Sequence, residues 1–559
     1  MTHFNRRRRW CWWLTTTAIV VCSASFLQVA GEDTKNAGTI KSVSRLVVVD
    51  TIVTDSSGQP LRGLKAEDFT VVEDGKPQKL ALFSEEEPNT TTSAAHPPLP
   101  ANVFTNRPEY SNPTGALTVI LLDGLNTPTQ DQAYAREQLL KYLASQQDST
   151  QRIAILALGN SLALLQDFTS DPRILIGALK KSGIQLSSAP QEDLFAEPLP
   201  TGTRFTRAGN EILLASRIQA TQQFLSPEAF NIGRRIDMTL QAMRLIARAL
   251  GGYPGRKKLI WISAAFPAVF SHDIANKYGI SDSYIDEIRR TDNLLTDAQV
   301  AVYPVDARGF VVSPSNNIQN WQFAPWMGRA GAWFYSSQAA MQEIAEDTGG
   351  RAFMNQNEIH HAIATSVNEG NHYYALAYVP ENKKWDGRFR KIKVEVRRNG
   401  ASVRARRGYY ATDIADTRRK PQEQHDEILA ALAGGTLPAT MVVFDVRVMP
   451  PGSGQAKVPV DVRVDPRTVL CDSSGGGRHC NLEFHVAAFS GKGKRIAHDD
   501  QRFDATIPEA VYQKLGGQGL PFHADLELPS GDYLLRFAIR DNATGSIGTL
   551  EAPLALAAR

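Results

Sequence analysis

Leu117 to Leu143 reads "LTVILLDGLNTPTQDQAYAREQLLKYL". An apolar run ends in Asp123, a short loop of hydroxyl and amide side chains follows, and an amphipathic helix then begins. A continuous apolar run bounded by turn residues fits a strand buried on both faces, as in parallel sheets covered by helices. In such sheets ligand sites lie outside the carboxyl ends of the strands. Asp123 therefore stands where a metal ligand, a chemical group or a helix cap would be placed.

The same pattern repeats from 116 to 308. Apolar strands are expected at 117–122, 153–158, 258–263 and 299–305, alternating with helical periods near 129–145, 172–181, 233–250 and 283–296. That alternation predicts a parallel sheet with helices on its faces. In the helix around 236–250, Ile236, Leu240, Met243, Ala247 and Leu250 share one stripe. A further helix near 337–347 ends at Gly349 and Gly350, as helix C-termini often do.

On either side the period falls to two. "RLVVVDTIVTDSSGQPLRGLKAEDFTVVEDGKPQKLALFSEE", 45–86, reads as four short strands cut by turn residues. Residues 86–115, rich in Pro, Thr, Asn and Ser, read as a linker. Strands return over 373–410, where Ile392, Val394 and Val396, the turn "RNG" and Val403 predict a hairpin. These strands are expected to complete the sheet begun at 45–85, with the α/β segment inserted between the two halves. The charged "DTRRKPQEQHDE", 416–427, marks a boundary, and 438–559 reads as a separate all-β unit.

A chain of 559 residues exceeds one ordinary core. Arg6 to Arg9 precede an apolar stretch within residues 1–30, the pattern of an export signal, with an uncleaved membrane anchor as the alternative. Without those four arginines the 61 basic residues become 57, against 58 acidic. Such a balance gives no electrostatic case for nucleic acid. Export points to a secreted, periplasmic or cell-envelope protein. Cys471 and Cys480 are the mature pair, and an oxidising compartment favours a structural disulfide between them. The rival, a metal or redox site, lacks a Cys-x-x-Cys and has only His479 beside it.

Enzyme signatures are missing from the sequence: it has no G-x-S-x-G elbow, no H-E-x-x-H, no P-loop and no G-x-G-x-x-G after a strand. His360 and His361 are helix neighbours expected to point about 100° apart, too divergent for one metal. "DFTSDP", 167–172, reads as a helix start capped by Ser170 or Asp171. Three long connections, 183–230, 267–282 and 309–335, exceed what the sheet needs. The last contains Trp321, Phe323, Trp326, Trp333, Phe334 and Tyr335, a density typical of interface anchors, or of a lid packed on the sheet edge.

"VVVDTIVTDSSGQPLRGLKAEDFTVVEDGKPQKL", "TVILLDGLNT", "LLQDFTSDP", "GYPGRKKLIWIS", "VAVYPVDARG", "EIAEDTGGRAF", "YYALAYVP" and "VRARRGYY" occur in order within residues 45 to 411. In these stretches the chain resembles the von Willebrand factor type A family, in its divergent acidobacterial form found in exported proteins. The resemblance implies a Rossmann-like α/β domain with a parallel sheet, flanked by β-strands forming a β-sandwich, plus a C-terminal all-β sandwich. Its boundaries would be 1–30 signal peptide or anchor, 31–115 N-terminal strands and linker, and 116–365 α/β domain. Then would come 366–412 returning strands, 413–437 linker and 438–559 C-terminal domain.

The resemblance also implies a divalent cation, Mg²⁺ or another, held by a D-x-S-x-S loop with a threonine and an aspartate from two further loops; hard cations require such oxygen donors. Here Asp123 matches the first position and Thr127 the fifth, but Leu125 stands at the third. Ser263 or Ala264 replaces the second aspartate, and Thr239 is the candidate threonine. Asn126 points elsewhere if the loop is regular, and is a partner-binding candidate. Two readings follow: a degenerate metal-ion-dependent adhesion site of Asp123, Thr127, Thr239 and Ser263, or a structural role in which Asp123 and Thr127 bond the loop and the helix N-terminus. The residues favour the second. The expected function is non-catalytic protein–protein interaction or adhesion at the cell envelope, with a protein or cell-surface ligand. The alternatives are an envelope hydrolase with an unrecognised site and a structural scaffold.

Overall fold

Five strands of the α/β segment form one sheet in the order Val300–Asp306, Lys257–Ser263, Leu117–Asp123, Arg152–Leu158, Leu162–Thr169. The first four are parallel and the last is antiparallel. The structure is a computed structural model that describes residues 45–87, 97–111, 116–146, 151–181, 227–266, 282–310, 337–412, 421–449 without 433 and 436, and 457–556 without 475. The 1–30 segment lies outside the described residues, as do Trp321, Phe323, Trp326, Trp333 and Tyr335. Among the described residues no helix is long and apolar enough to cross a membrane.

Side chains in a strand alternate between faces, so each central strand feeds two cores. Val119, Leu121, Leu259, Trp261 and Val302 pack toward the helix Pro227–Leu250 and the helix over 337–348. Ile120, Leu122, Ile260, Ile262 and Val305 pack toward Thr129–Ala144 and Ile359–Asn368. The expected stripe from Ile236 to Leu250 is wholly buried. From the central strand the chain moves first to one side of the sheet and later to the other, which makes the end of Leu117–Asp123 the switch point.

The antiparallel strand Leu162–Thr169 was not among the expected elements. It takes up half of "DFTSDP", leaving Asp171 to accept from the Arg173 amide at 2.8 Å ahead of the helix Pro172–Lys181.

Strands before and after the α/β segment pair with one another. Val47–Thr54 lies between Ser402–Arg404 and Tyr373–Tyr378, and Tyr373–Tyr378 also pairs with Leu80–Glu86. A second sheet runs Gly408–Tyr410, Phe389–Val396, Phe69–Glu73, Lys76–Gln78. Val49, Val53, Phe69, Val71, Tyr374 and Leu376 form the core they share. The expected hairpin between 392–396 and Val403 does not form: Val394 pairs with Val71 while Val403 pairs with Val53. The turn at 398–401 carries the chain from one sheet to the other, so both valines reach the same core without being cross-strand neighbours.

Two further sheets enclose another apolar core that includes Val446, Val460, Phe484 and Phe537. One of them includes Val103–Thr105, paired with Phe444–Val448, so the expected linker 86–115 contributes a strand. Asn106 fixes it, donating to Ala439 O at 3.0 Å and Val442 O at 2.8 Å. The other includes Cys471 opposite Cys480, joined as a disulfide. Changing both to Ser should lower stability by roughly 2–3 kcal/mol, the loop-entropy value for a ring of this size. Urea unfolding with and without reductant checks this, and native and variant proteins should converge once reduced.

The charged stretch 416–427 also differs from expectation. Its second half opens a helix, Pro421–Leu432, whose Glu427 is buried between Arg248 and Arg540. The expected boundary thus contains a docked element.

Candidate functional site

Asp123 ends the central strand and is almost wholly buried. The chain turns sharply after it: Leu125 N bonds Leu158 O at 3.0 Å, and the Leu125 side chain drops into the core. That inward turn explains a leucine at the third loop position. It also brings Asn126 back under the strand end, against the expectation that it would point elsewhere. Asn126 donates its backbone N–H to Asp123 Oδ1 at 3.0 Å and its Nδ2 to Oδ2 at 2.8 Å.

Two neighbours from the adjacent strand complete the ring. Trp261 Nε1 and Ser263 Oγ each stand 2.9 Å from Asp123 Oδ2. Asn126 Nδ2 also reaches Thr239 Oγ1 at 2.8 Å, and Arg235 Nε donates to Asn126 Oδ1 at 3.1 Å. Thr239 Oγ1 donates to Arg235 O one turn earlier, so the two residues share a helix face. Asn126 therefore links the Arg235 guanidinium to the Asp123 carboxylate. Burial raises the Asp123 carboxyl above its ordinary value, and its hydrogen-bond donors only partly oppose the rise. Burial lowers Arg235 to about 10, opposed by the attraction of Asp123.

The four candidate metal residues are thus distributed unevenly. Asp123 and Ser263 bond directly, and Thr239 joins through Asn126. Thr127 turns away, its hydroxyl accepting from Ala264 N at 3.1 Å. The helix that follows is not capped by Asp123 or Thr127; instead Gln132 Nε2 donates to Gly124 O at 3.0 Å and Thr127 O at 2.7 Å. The donor set does not suit a divalent cation. Asp123 Oδ2 already accepts from two N–H groups and a hydroxyl, N–H donors cannot ligate a metal, and a guanidinium supplies the local positive charge.

A second strand end repeats the arrangement. Asp306, at the end of Val300–Asp306, forms a two-pronged pair with Arg308: Nε to Oδ1 at 2.8 Å and Nη2 to Oδ2 at 2.7 Å. A cavity of about 150 Å³ opens beside Asp123, bounded by Leu122, Thr127, Gln132, Arg136 and Ile262. His360 and His361, expected to diverge, have ring centroids 4.4 Å apart. One turns to Gln138 Oε1 at 2.9 Å and the other to Glu358 Oε2 at 3.1 Å, which brings the rings together.

Sequence reasoning missed Arg235 and Trp261. The signals were present: Arg235 precedes Thr239 by one helical turn, and Trp261 shares a strand face with Ser263.

No family model matches the chain, and no curated protein does. Among solved structures it is similar to an aerotolerance-related membrane protein from Bacteroides fragilis, at 14% identity over 46% of this chain and 100% of that one, TM-score 0.24. It is also similar to the ArnB paralog VWA2 from Sulfolobus acidocaldarius, at 7% identity over 92% of this chain and 76% of that one, TM-score 0.18. A von Willebrand factor type A protein from Catenulispora acidiphila follows, at 8% identity over 89% and 76%, TM-score 0.19.

Proposed function

We propose that this chain is an exported, non-catalytic binding protein. Its α/β segment is a von Willebrand A-like domain, set between strands of one β-sandwich and followed by a C-terminal β-sandwich. It presents the face at the carboxyl ends of its parallel strands to a protein or cell-surface ligand at the cell envelope. That face works without a divalent cation, because Arg235 supplies through Asn126 the positive charge that a metal would otherwise bring.

One observation carries the reading. The Asp123 carboxylate accepts four hydrogen bonds from protein donors and is charge-compensated from within the fold. A carboxylate held this way is a poor catalyst as well, since Oδ2 already accepts from three donors and the side chain is fixed from both sides. What it does well is fix its own loop, the neighbouring strand end and a helix relative to one another, which a rigid recognition face requires.

The test is isothermal titration of Mg²⁺ and Mn²⁺ into the purified chain beside an Asp123→Ala variant. The expected result is no saturable heat in either protein. Saturable binding that the substitution abolishes would sink the proposal and restore a cation-bridged mechanism.

A further inference from the structure

A cleft of about 760 Å³ lies between the α/β segment and the strands that flank it. One wall comes from the helix over 337–348 and the segment after it, the other from Ile392–Val394 and Val403–Arg407. Its size suits a ligand, and a junction between structural units is a common place for one.

The lining is cationic. Arg351, Lys393, Arg404, Arg406 and Arg407 face a single lining carboxylate, Glu346. Three of the cations have partners within the fold. Arg407 pairs with Glu343 and Asp347, each at 2.8 Å, Arg404 with Glu369, and Lys393 with Glu395 at 2.7 Å.

Arg406 differs. It is only 9% exposed, its Nε has no acceptor, and its side chain makes no hydrogen bond among the described residues. A tyrosine ring, Tyr409, lies 5.8 Å from the guanidinium carbon, and Asp297 and Asp50 act on it only through their charge. A buried Nε without an acceptor is costly until one arrives. Arg351, at the cleft mouth, is exposed and lies over Phe353 at 4.9 Å.

The cleft also borders a sheet edge. Ser402–Arg404 is the outermost strand of its sheet and pairs only with Val47–Thr54 among the described residues. Its far side offers the Val403 N–H and C=O, a donor and acceptor of the kind an incoming strand can use.

We propose that this cleft binds an extended acidic peptide segment, whose backbone adds to the open edge of Ser402–Arg404 while its carboxylates pair with Arg406 and Arg351. Guanidinium forks match carboxylates two-pronged, which a diffuse basic patch does not. The site is separate from the Asp123 face and does not rest on the function proposed for it.

Fluorescence anisotropy of labelled hexaglutamate with the full chain tests this. Saturable binding should weaken at least tenfold in Arg351→Glu/Lys393→Glu, two exposed positions whose change leaves the melting temperature in place. Arg406→Met should weaken it similarly, and if that variant fails to fold the exposed pair decides. Hexaglutamine should not bind, and hexaglutamate methylated on alternate backbone nitrogens should bind more weakly. Equal binding to the native chain and the double variant would overturn the proposal. So would displacement by inorganic phosphate at the concentration of unlabelled peptide, or indifference to backbone methylation.

Discussion

Replacing Glu427 by Ala should destabilise the protein by roughly 3–5 kcal/mol, the usual cost of leaving buried charge without its partner. Glu427 Oε1 accepts from Arg248 Nη2 at 2.9 Å and Oε2 from Arg540 Nη1 at 3.2 Å, with all three residues buried. Arg248 belongs to the long helix of the α/β segment and Arg540 to a strand of the C-terminal sheets. The substitution therefore removes the carboxylate from two guanidinium groups at a junction, leaving Arg540 the Gln424 carbonyl at 3.0 Å. Urea unfolding followed by intrinsic fluorescence should show the midpoint fall. Because the lost contact joins two units, the transition should also broaden or split. An unfolding free energy within about 1 kcal/mol of the native value would mean that water reaches the pair of arginines. Glu427→Gln, which keeps the shape and loses the charge, should fall between the two.

The same residue shows why part of the fold was hidden in the sequence. "HDE" ends a charged run, and charged runs are normally solvated, so the sequence places Glu427 in a boundary. Only two arginines, 179 and 113 residues away in sequence, make its burial favourable. Elements with their own period were legible. The four parallel strands differ from expectation by at most one residue at either end, because a strand buried on both faces needs an unbroken apolar run, here of strand length and bounded by turn residues.

Short or half-exposed elements were not legible. Val103–Thr105 has three residues and no period, and its place depends on pairing with a strand more than 300 residues later. Leu162–Thr169 is an edge strand whose side chains are mostly half-buried, so its alternation is weak. The site divides similarly. Asp123, Thr239 and Ser263 could be found by position, whereas the bonds made by Asn126, Arg235 and Trp261 depend on a loop turning inward at Leu125.

The opposite end of the sheet gives a large effect of pH. Lys257 and Lys258 begin a central strand and are essentially unexposed. Lys257 Nζ donates to Tyr253 O at 2.7 Å, and Lys258 Nζ donates to Val367 O and Asn371 Oδ1. Burial lowers each from 10.5 to about 7, opposed by Asp50 for the first; for the second the Arg256 charge adds to the lowering and Glu369 opposes it. The folded values are thus depressed below those of the unfolded chain. Between about pH 7 and 10.5 the unfolded chain holds protons that the folded one has released, so raising the pH favours folding. Below pH 7 both states are protonated and the contribution is lost. Stability should therefore gain several kcal/mol from the two lysines as pH rises from 7 to 10, at up to ~1.4 kcal/mol per pH unit for each. Urea midpoints at pH 7, 8, 9 and 10 measure that slope in the native protein and in Lys257→Met and Lys258→Met. Each methionine should remove part of the rise while leaving the remaining pH dependence in place. A slope unchanged by both substitutions would show that these ammonium groups stay protonated in the folded state, held by their carbonyl partners against the cost of burial.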